Sequence, residues 1–115
     1  MRKMKLLIAT IALSALMSTT AFAGEWKQDT TGWWYLNDDN TYFTSTWLQD
    51  TNGKWYFLDS DGYMSTGWIQ TTNDNKIYYL NMDGSMQTSP MVIDGYTYNF
   101  DSTGACTNFN GITAS

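Results

Sequence analysis

The sequence predicts an all-β protein, a solenoid of about four stacked β-hairpins with one hairpin per repeat of about 21 residues. Trp26, Trp47 and Trp68 recur at this interval. An aromatic or aliphatic run follows each tryptophan, at residues 33–36, 55–58 and 77–80. A unit this short cannot bury its apolar face alone, so neighbouring units must stack, and function is expected at the seams between them.

The first 23 residues are predicted to be a secretory signal peptide. The first five residues include three basic ones, Arg2, Lys3 and Lys5. An apolar stretch follows at 6–17, and the segment ends in the small-residue pattern Ala21-Phe22-Ala23. The apolar stretch is shorter than the roughly 20 residues that a spanning helix needs, so stable membrane insertion after cleavage is not expected. An uncleaved membrane anchor is the alternative.

Cleavage after Ala23 would leave 92 residues with three lysines and 11 acidic residues, a net charge of −8. Such a surface repels phosphate backbones, which argues against nucleic acid as a partner. Eighteen of these residues are aromatic, which by composition favours either a glycan-binding or a disordered secreted protein. The regular spacing of the rings argues against disorder.

The chain contains no histidine, which excludes Ser-His-Asp and Cys-His catalysis and disfavours zinc. The paired carboxylates Asp38/Asp39 and Asp59/Asp61 are interpreted as turn residues, because acids recur beside each glycine turn. No enzymatic activity, cofactor or metal site is therefore expected. Cys106 is the only cysteine and is interpreted as an apolar filler at a position that holds Met elsewhere. Intermolecular pairing, and with it a homodimer, stays open.

The second repeat illustrates the predicted hairpin. Residues 46–50 and 55–58 form its strands, and Asn52-Gly53 between them indicates a type I′ turn. Residues 59–62 form a second turn, with glycine in the left-handed conformation. Since side chains alternate along a strand, Trp55 and Phe57 point to one face and Tyr56 and Leu58 to the other.

The last unit departs from this pattern. Pro90 stands where a tryptophan would begin the repeat, and Thr97-Tyr98-Asn99-Phe100 replaces the aromatic run. Terminal units of solenoids are often atypical, so residues 89–107 are predicted to be a cap. The repeat domain thus covers residues 24–107, and residues 108–115 are expected to be a poorly ordered tail.

Three rings are expected to meet where consecutive hairpins adjoin. Trp47 and Trp55 lie across one turn, and the next hairpin brings Tyr78 to the same seam. Three electron-rich faces around a gap suit a quaternary ammonium through cation–π attraction. The alternative is that the rings stack on one another as an aromatic spine, and composition does not decide between the two.

Residues 66–68, 53–64 and 77–86 carry a repeating Gly-Trp, Trp-Tyr-Tyr-Leu and Asp-Gly-x-Met pattern. In this the chain resembles the choline-binding cell-wall repeats of exported bacterial surface proteins, over about residues 25–107. The resemblance implies a left-handed solenoid with choline held between consecutive hairpins. Related repeats in glucan-binding and toxin proteins take carbohydrates instead.

The resemblance also implies which residues form each cage. The second seam would hold Trp47, Trp55 and Tyr78, with Met64 as an apolar wall. The first would hold Trp26, Trp33 and Tyr56, although Trp33-Trp34 allows two registers. The third keeps Trp68 and Tyr98 but has Ile77 in place of a ring, so weaker binding is expected there.

These observations lead to a functional prediction. The chain is expected to be a secreted, non-catalytic module that binds choline or phosphocholine on wall polymers such as teichoic acid, and so attaches non-covalently to the bacterial surface. The alternatives are a lectin for glucan or another surface glycan, and a structural fragment without a working site.

Overall fold

The computed structural model describes residues 5–9, 24–110 and 113–114, and these residues form an all-β structure. Two compact units are present, residues 9–65 and residues 66–115 together with residues 1–8. The strands are β1 (Lys5–Ala9), β2 (Gly24–Gln28), β3 (Trp33–Asn37), β4 (Thr46–Gln49), β5 (Trp55–Leu58), β6 (Gly67–Thr71), β7 (Ile77–Leu80), β8 (Met91–Ile93), β9 (Tyr96–Tyr98) and β10 (Thr113–Ala114).

The unit of residues 9–65 contains two antiparallel hairpins, β2–β3 and β4–β5. Strands β3 and β5 each contain three aromatic residues, which favour the extended chain. Their core consists of Tyr35, Leu48 and Leu58, all nearly or fully buried, with Trp26 and Phe43 packed around it. The predicted bounds of the second hairpin are confirmed to within one residue.

The turn of the second hairpin differs from the prediction. Gly53 has a φ of 83°, whereas Asn52 is not in the left-handed region, so the turn is not type I′. The Asp50 and Lys54 backbones pair around a three-residue loop, and the Asn52 side chain accepts a hydrogen bond from the Lys54 amide at 2.8 Å. A type I turn closed by one left-handed glycine fits this loop length. The paired positive φ values of a type I′ turn occur instead at Asp94-Gly95.

The second turn of each repeat is confirmed. Gly62, Gly84 and Gly104 all have φ near 90°, a conformation that glycine adopts without a Cβ penalty. The preceding carboxylates hold these turns: the Asp59 side chain accepts hydrogen bonds from two backbone amides, and the Asp101 side chain does the same. Turn formation thus accounts for these acids.

The unit of residues 66–115 contains the hairpins β6–β7 and β8–β9. Strand β6 also borders β1, and the sheet order is β10-β1-β6-β7. Leu6, Trp68 and Tyr98 form its buried cluster. The predicted leader therefore contributes a strand at residues 5–9, while residues 1–4 and 10–23, including the cleavage pattern, lie outside the described residues.

The first residues of the predicted tail contact the hairpin β8–β9 and the cluster around Trp68. The Asn108 side chain accepts a hydrogen bond from the Asn99 amide and donates one to the Thr97 carbonyl, and Phe109 packs on Trp68. Asn108 and Phe109 thus contact the rest of their unit, and the order of the tail as a whole stays a prediction. Across the described ranges, no helix is long and apolar enough to cross a membrane.

Cys106 occupies the repeat position of a methionine, as predicted. It pairs with Phe100 as Met64 pairs with Leu58 and Met86 with Leu80. Its side chain packs against the cluster around Trp68, and burial raises the pKa of its thiol. A partly buried thiol of raised pKa is poorly nucleophilic, which fits a packing role.

Candidate functional site

Strand pairing defines which rings are equivalent in successive hairpins. Gln28 pairs with Trp33, Gln49 with Trp55, and Gln70 with Ile77. Trp33 is therefore the counterpart of Trp55, which resolves the ambiguous register of Trp33-Trp34. Residues directly opposite in an antiparallel pair share a face, so each hairpin carries its first tryptophan and this position on the same side.

The first seam brings two of its predicted rings into contact. The Trp26 ring lies 5.2 Å from the ring of Tyr56 at 64°, and 5.3 Å from that of Tyr35 at 89°, both in edge-to-face geometry. Trp33, on the same hairpin face as Trp26, keeps 39% of its surface exposed. Two of the three predicted rings are thus packed together, and Trp33 remains open to solvent.

A carboxylate fixes the position of the central ring. The Trp26 indole N–H donates a hydrogen bond to Oδ2 of Asp50 at 2.9 Å, which links the first hairpin to the turn of the second. The Tyr56 hydroxyl in turn accepts a hydrogen bond from the Asn52 amide at 3.0 Å. Both rings are therefore held by polar contacts at their rims, and Asp50 places a negative charge beside the seam.

The second hairpin presents a similar pair of rings. Trp47 is 5% exposed and packs edge-to-face on Phe57, whose ring centre is 5.2 Å away. Trp55 lies two residues before Phe57 on the same strand, so it shares the face of Phe57, and it is partly buried. Met64 donates a backbone hydrogen bond to the Trp33 carbonyl at 2.7 Å and packs on the core of residues 9–65.

Tyr78 belongs to the unit of residues 66–115, where it is 4% exposed and pairs with Ile69 across the strands. Its hydroxyl donates a hydrogen bond to Asp74 at 3.3 Å. Burial, followed by the charge of Asp74, raises its pKa to about 12. The hydroxyl is thus tied to the turn of its own hairpin, as the hydroxyl of Tyr56 is.

In the third seam the rings fill the space between them. Trp68 and Tyr98 are 5% and 0% exposed, and their ring centres are 4.9 Å apart. Ile77 packs against the same cluster, in the position that Trp33 and Trp55 occupy in their hairpins. Three further rings surround Trp68 at centroid distances of 4.7 to 6.3 Å: Tyr79, Phe100 and Phe109.

Sequence reasoning missed the polar groups that position the rings. The sequence pattern places Asp50 at the end of a strand and Asn52 in a turn, and it assigns no further role to either side chain. A usable signal was present, since Asn52 and Asp74 each precede by four residues a tyrosine whose hydroxyl they bind. The described part of the chain contains no group of His, Cys, Asp and Glu side chains that could hold a metal ion.

Residues 44–90, which span the second and third hairpins, match the family model of the choline-binding repeat. Over these residues the chain carries the choline-binding repeat. No curated protein matched the chain in a sequence comparison.

Solved structures with similar repeats include three proteins of pneumococcus or its phage. The cell-wall endolysin of phage Cp-1, solved with choline, is 35% identical over 74% of this chain, with a TM-score of 0.65. Choline-binding protein F of Streptococcus pneumoniae is 36% identical over 74%, with a TM-score of 0.63. The autolysin LytC of S. pneumoniae is 30% identical over 77%, with a TM-score of 0.59.

This repeat protein covers only part of each of those structures: 25% of the endolysin, 28% of choline-binding protein F and 20% of LytC. The likeness therefore concerns the repeats themselves.

Proposed function

We propose that this repeat protein is a secreted, non-catalytic module that attaches to the bacterial cell wall by binding choline residues of wall polymers such as teichoic acid. The observation that carries the proposal is the first seam, where Trp26 and Tyr56 meet at 5.2 Å and Trp33, on the same hairpin face as Trp26, stays exposed. The choline-binding repeat match at residues 44–90 supports the same ligand class.

The proposed cage holds the trimethylammonium group of choline against the faces of Trp26, Trp33 and Tyr56. Each ring attracts the cation through its quadrupole, and the interaction needs no hydrogen-bond donor from the ligand. Asp50 contributes to the cage in two ways. Its Oδ2 accepts a hydrogen bond from the Trp26 indole N–H at 2.9 Å, and its carboxylate supplies a negative charge. Trp47 and Trp55 offer the corresponding pair of rings on the second hairpin.

The expected affinity of one cage is low. Three ring contacts of about 0.5 to 2 kcal/mol each must offset the cost of association, so a dissociation constant near 1 mM is expected. A wall polymer carries many cholines, and simultaneous binding at several cages would raise the avidity by roughly 10² or more. Attachment to the wall therefore depends on a multivalent ligand.

Choline titration of the purified chain tests the proposal. Indole fluorescence and isothermal calorimetry should both report saturable binding in the millimolar range. Trp33→Ala is the informative variant, since an exposed ring can be removed with little loss of packing. Saturable binding of an oligosaccharide, with no response to choline at tens of millimolar, would replace the proposal with a lectin.

A further inference from the structure

A cavity of about 370 Å³ lies beside the first hairpin, on the face opposite the first seam. Trp34 and Leu36 line it, and these side chains alternate with Trp33 and Tyr35 along β3, so they point away from the seam. Its volume falls within the range of about 300 to 1,000 Å³ that is usual for small-molecule sites. We name it the Tyr42 cavity, and its lining residues are Asp29, Trp34, Leu36, Asn40, Tyr42, Asp61 and Tyr63.

Three aromatic rings form the walls of the Tyr42 cavity. The rings of Trp34 and Tyr42 are 5.8 Å apart at 75°, and Tyr63 pairs with Trp34 through the backbone. Tyr42 is 53% exposed, so its ring is accessible to a ligand. It is also held closely, because a Cβ on Gly62 would lie 2.8 Å from Cδ2 of Tyr42.

The charges of the cavity are all negative. Asp29 and Asp61 line it, and none of the lining residues is basic. The Asp29 carboxylate accepts hydrogen bonds from the Tyr63 hydroxyl at 2.7 Å and from two backbone amides. The Tyr63 hydrogen bond is the main reason that the pKa of Asp29 lies below its usual value, so this carboxylate is ionised at neutral pH.

We propose that the Tyr42 cavity is a second ligand site, distinct from the seam cages, and that it binds an organic ammonium ion. Aromatic faces combined with uncompensated carboxylates attract a cation by both quadrupole and Coulomb terms. A neutral sugar would stack on the rings and donate hydroxyl hydrogen bonds to the carboxylates, but it would leave the two negative charges unbalanced. The ammonium could be the quaternary group of choline or a primary amine on a wall polymer, and the experiment separates the two.

The experiment is an NMR titration of the ¹⁵N-labelled full chain, because the indole signals of Trp33 and Trp34 report the seam and the cavity separately. The probes are tetramethylammonium, methylammonium, the neutral choline isostere 3,3-dimethylbutan-1-ol, and a neutral oligosaccharide. We expect the Trp34 indole to shift saturably with an ammonium and to change little with the neutral isostere. The tighter of the two ammonium ions identifies the source.

Variants locate the response. Tyr42→Ala should weaken the dissociation constant measured at Trp34 at least threefold, whereas Tyr42→Phe should retain it. Asp61→Asn should weaken it about twofold or more. The Trp33 signal should be unchanged in all three, and an unaltered pattern of strand amides will confirm that each variant is folded.

Two results would overturn the inference: an equal Trp34 response to the neutral isostere, or tighter binding of the oligosaccharide at that ring. The outcome is independent of the proposed seam cage. A response to an ammonium ion at Trp34 without one at Trp33 would support the cavity and exclude the first seam cage. A response at Trp33 without one at Trp34 would support the seam cage and overturn the inference about the cavity.

Discussion

The first and third seams start from the same repeat pattern but differ in how their rings are used. In the first, Trp26 and Tyr56 are in contact, and Trp33 keeps 39% of its surface exposed. In the third, Trp68 and Tyr98 are almost completely buried. The comparison indicates that a repeated motif supplies rings, and that the neighbours of those rings decide whether a ring stays exposed or is buried in a core.

The physical cause lies in the residues added around the third seam. An aliphatic side chain, Ile77, replaces the third ring, and Phe109 from the C-terminal segment packs 4.7 Å from Trp68. Interiors are densely packed, so a gap that apolar side chains fill leaves no room for a ligand. In the first hairpin, Trp33 stays accessible, with 39% of its surface exposed.

The largest expected effect is on stability in the third seam. Trp68→Ala removes the centre of a buried aromatic cluster, which should lower the free energy of unfolding by about 3 to 5 kcal/mol. Urea denaturation followed by circular dichroism measures this difference. The matched control is Trp33→Ala, expected to cost less than about 1 kcal/mol. Similar losses in the two variants would show that both rings serve packing.

The next effect is on choline affinity in the first seam. Trp33→Ala removes one ring contact of about 0.5 to 2 kcal/mol, so the dissociation constant should rise between about 2-fold and 30-fold. Calorimetry or fluorescence titration measures it, with Trp55→Ala as the parallel test on the second hairpin. An unchanged affinity in Trp33→Ala would exclude the first seam as a cage.

A smaller effect is expected from the group that positions Trp26. Asp50→Ala removes the acceptor of the indole hydrogen bond and should destabilise the unit of residues 9–65 by about 1 kcal/mol. Asp50→Asn keeps an acceptor but removes the charge, so it should recover most of that stability while still weakening choline binding. Choline affinity identical to that of the unmodified chain in Asp50→Asn would mean that the charge is irrelevant.

The smallest effect compares the two tyrosines whose hydroxyls bind hairpin turns. Because folding raises the pKa of Tyr78 to about 12, its contribution to stability is complete below about pH 10 and is lost as the pH rises from there to about 12. Tyr78→Phe should therefore shift the alkaline unfolding midpoint upward by a few tenths of a pH unit. Circular dichroism between pH 8 and 12.5 follows the transition.

Tyr56→Phe is the control for that shift, since the hydroxyl of Tyr56 binds the neutral amide of Asn52 rather than a carboxylate. A shift of equal size in both variants would contradict the role assigned to burial and to Asp74.

Much of the fold was predictable because it depends on local chemistry. Glycine at 62, 84 and 104 fixes the turns between repeats, and the alternation of side chains fixes which rings share a face. The turn at Asn52-Gly53 was mispredicted, because a three-residue loop and a two-residue type I′ turn share the same Asn-Gly signal. Loop length depends on strand register, which only the paired structure defines.

The sequence by itself determined the repeat, the strands, the absence of histidine chemistry and the supply of rings at regular intervals. Tertiary structure decided which rings remain open, since Trp33 stays exposed whereas Trp68 is enclosed by rings from other segments of the chain. It also decided that Asp50 holds Trp26 and that Phe109 packs on Trp68. Contacts between residues 24 or 41 positions apart depend on how hairpins stack, and no local propensity encodes that arrangement.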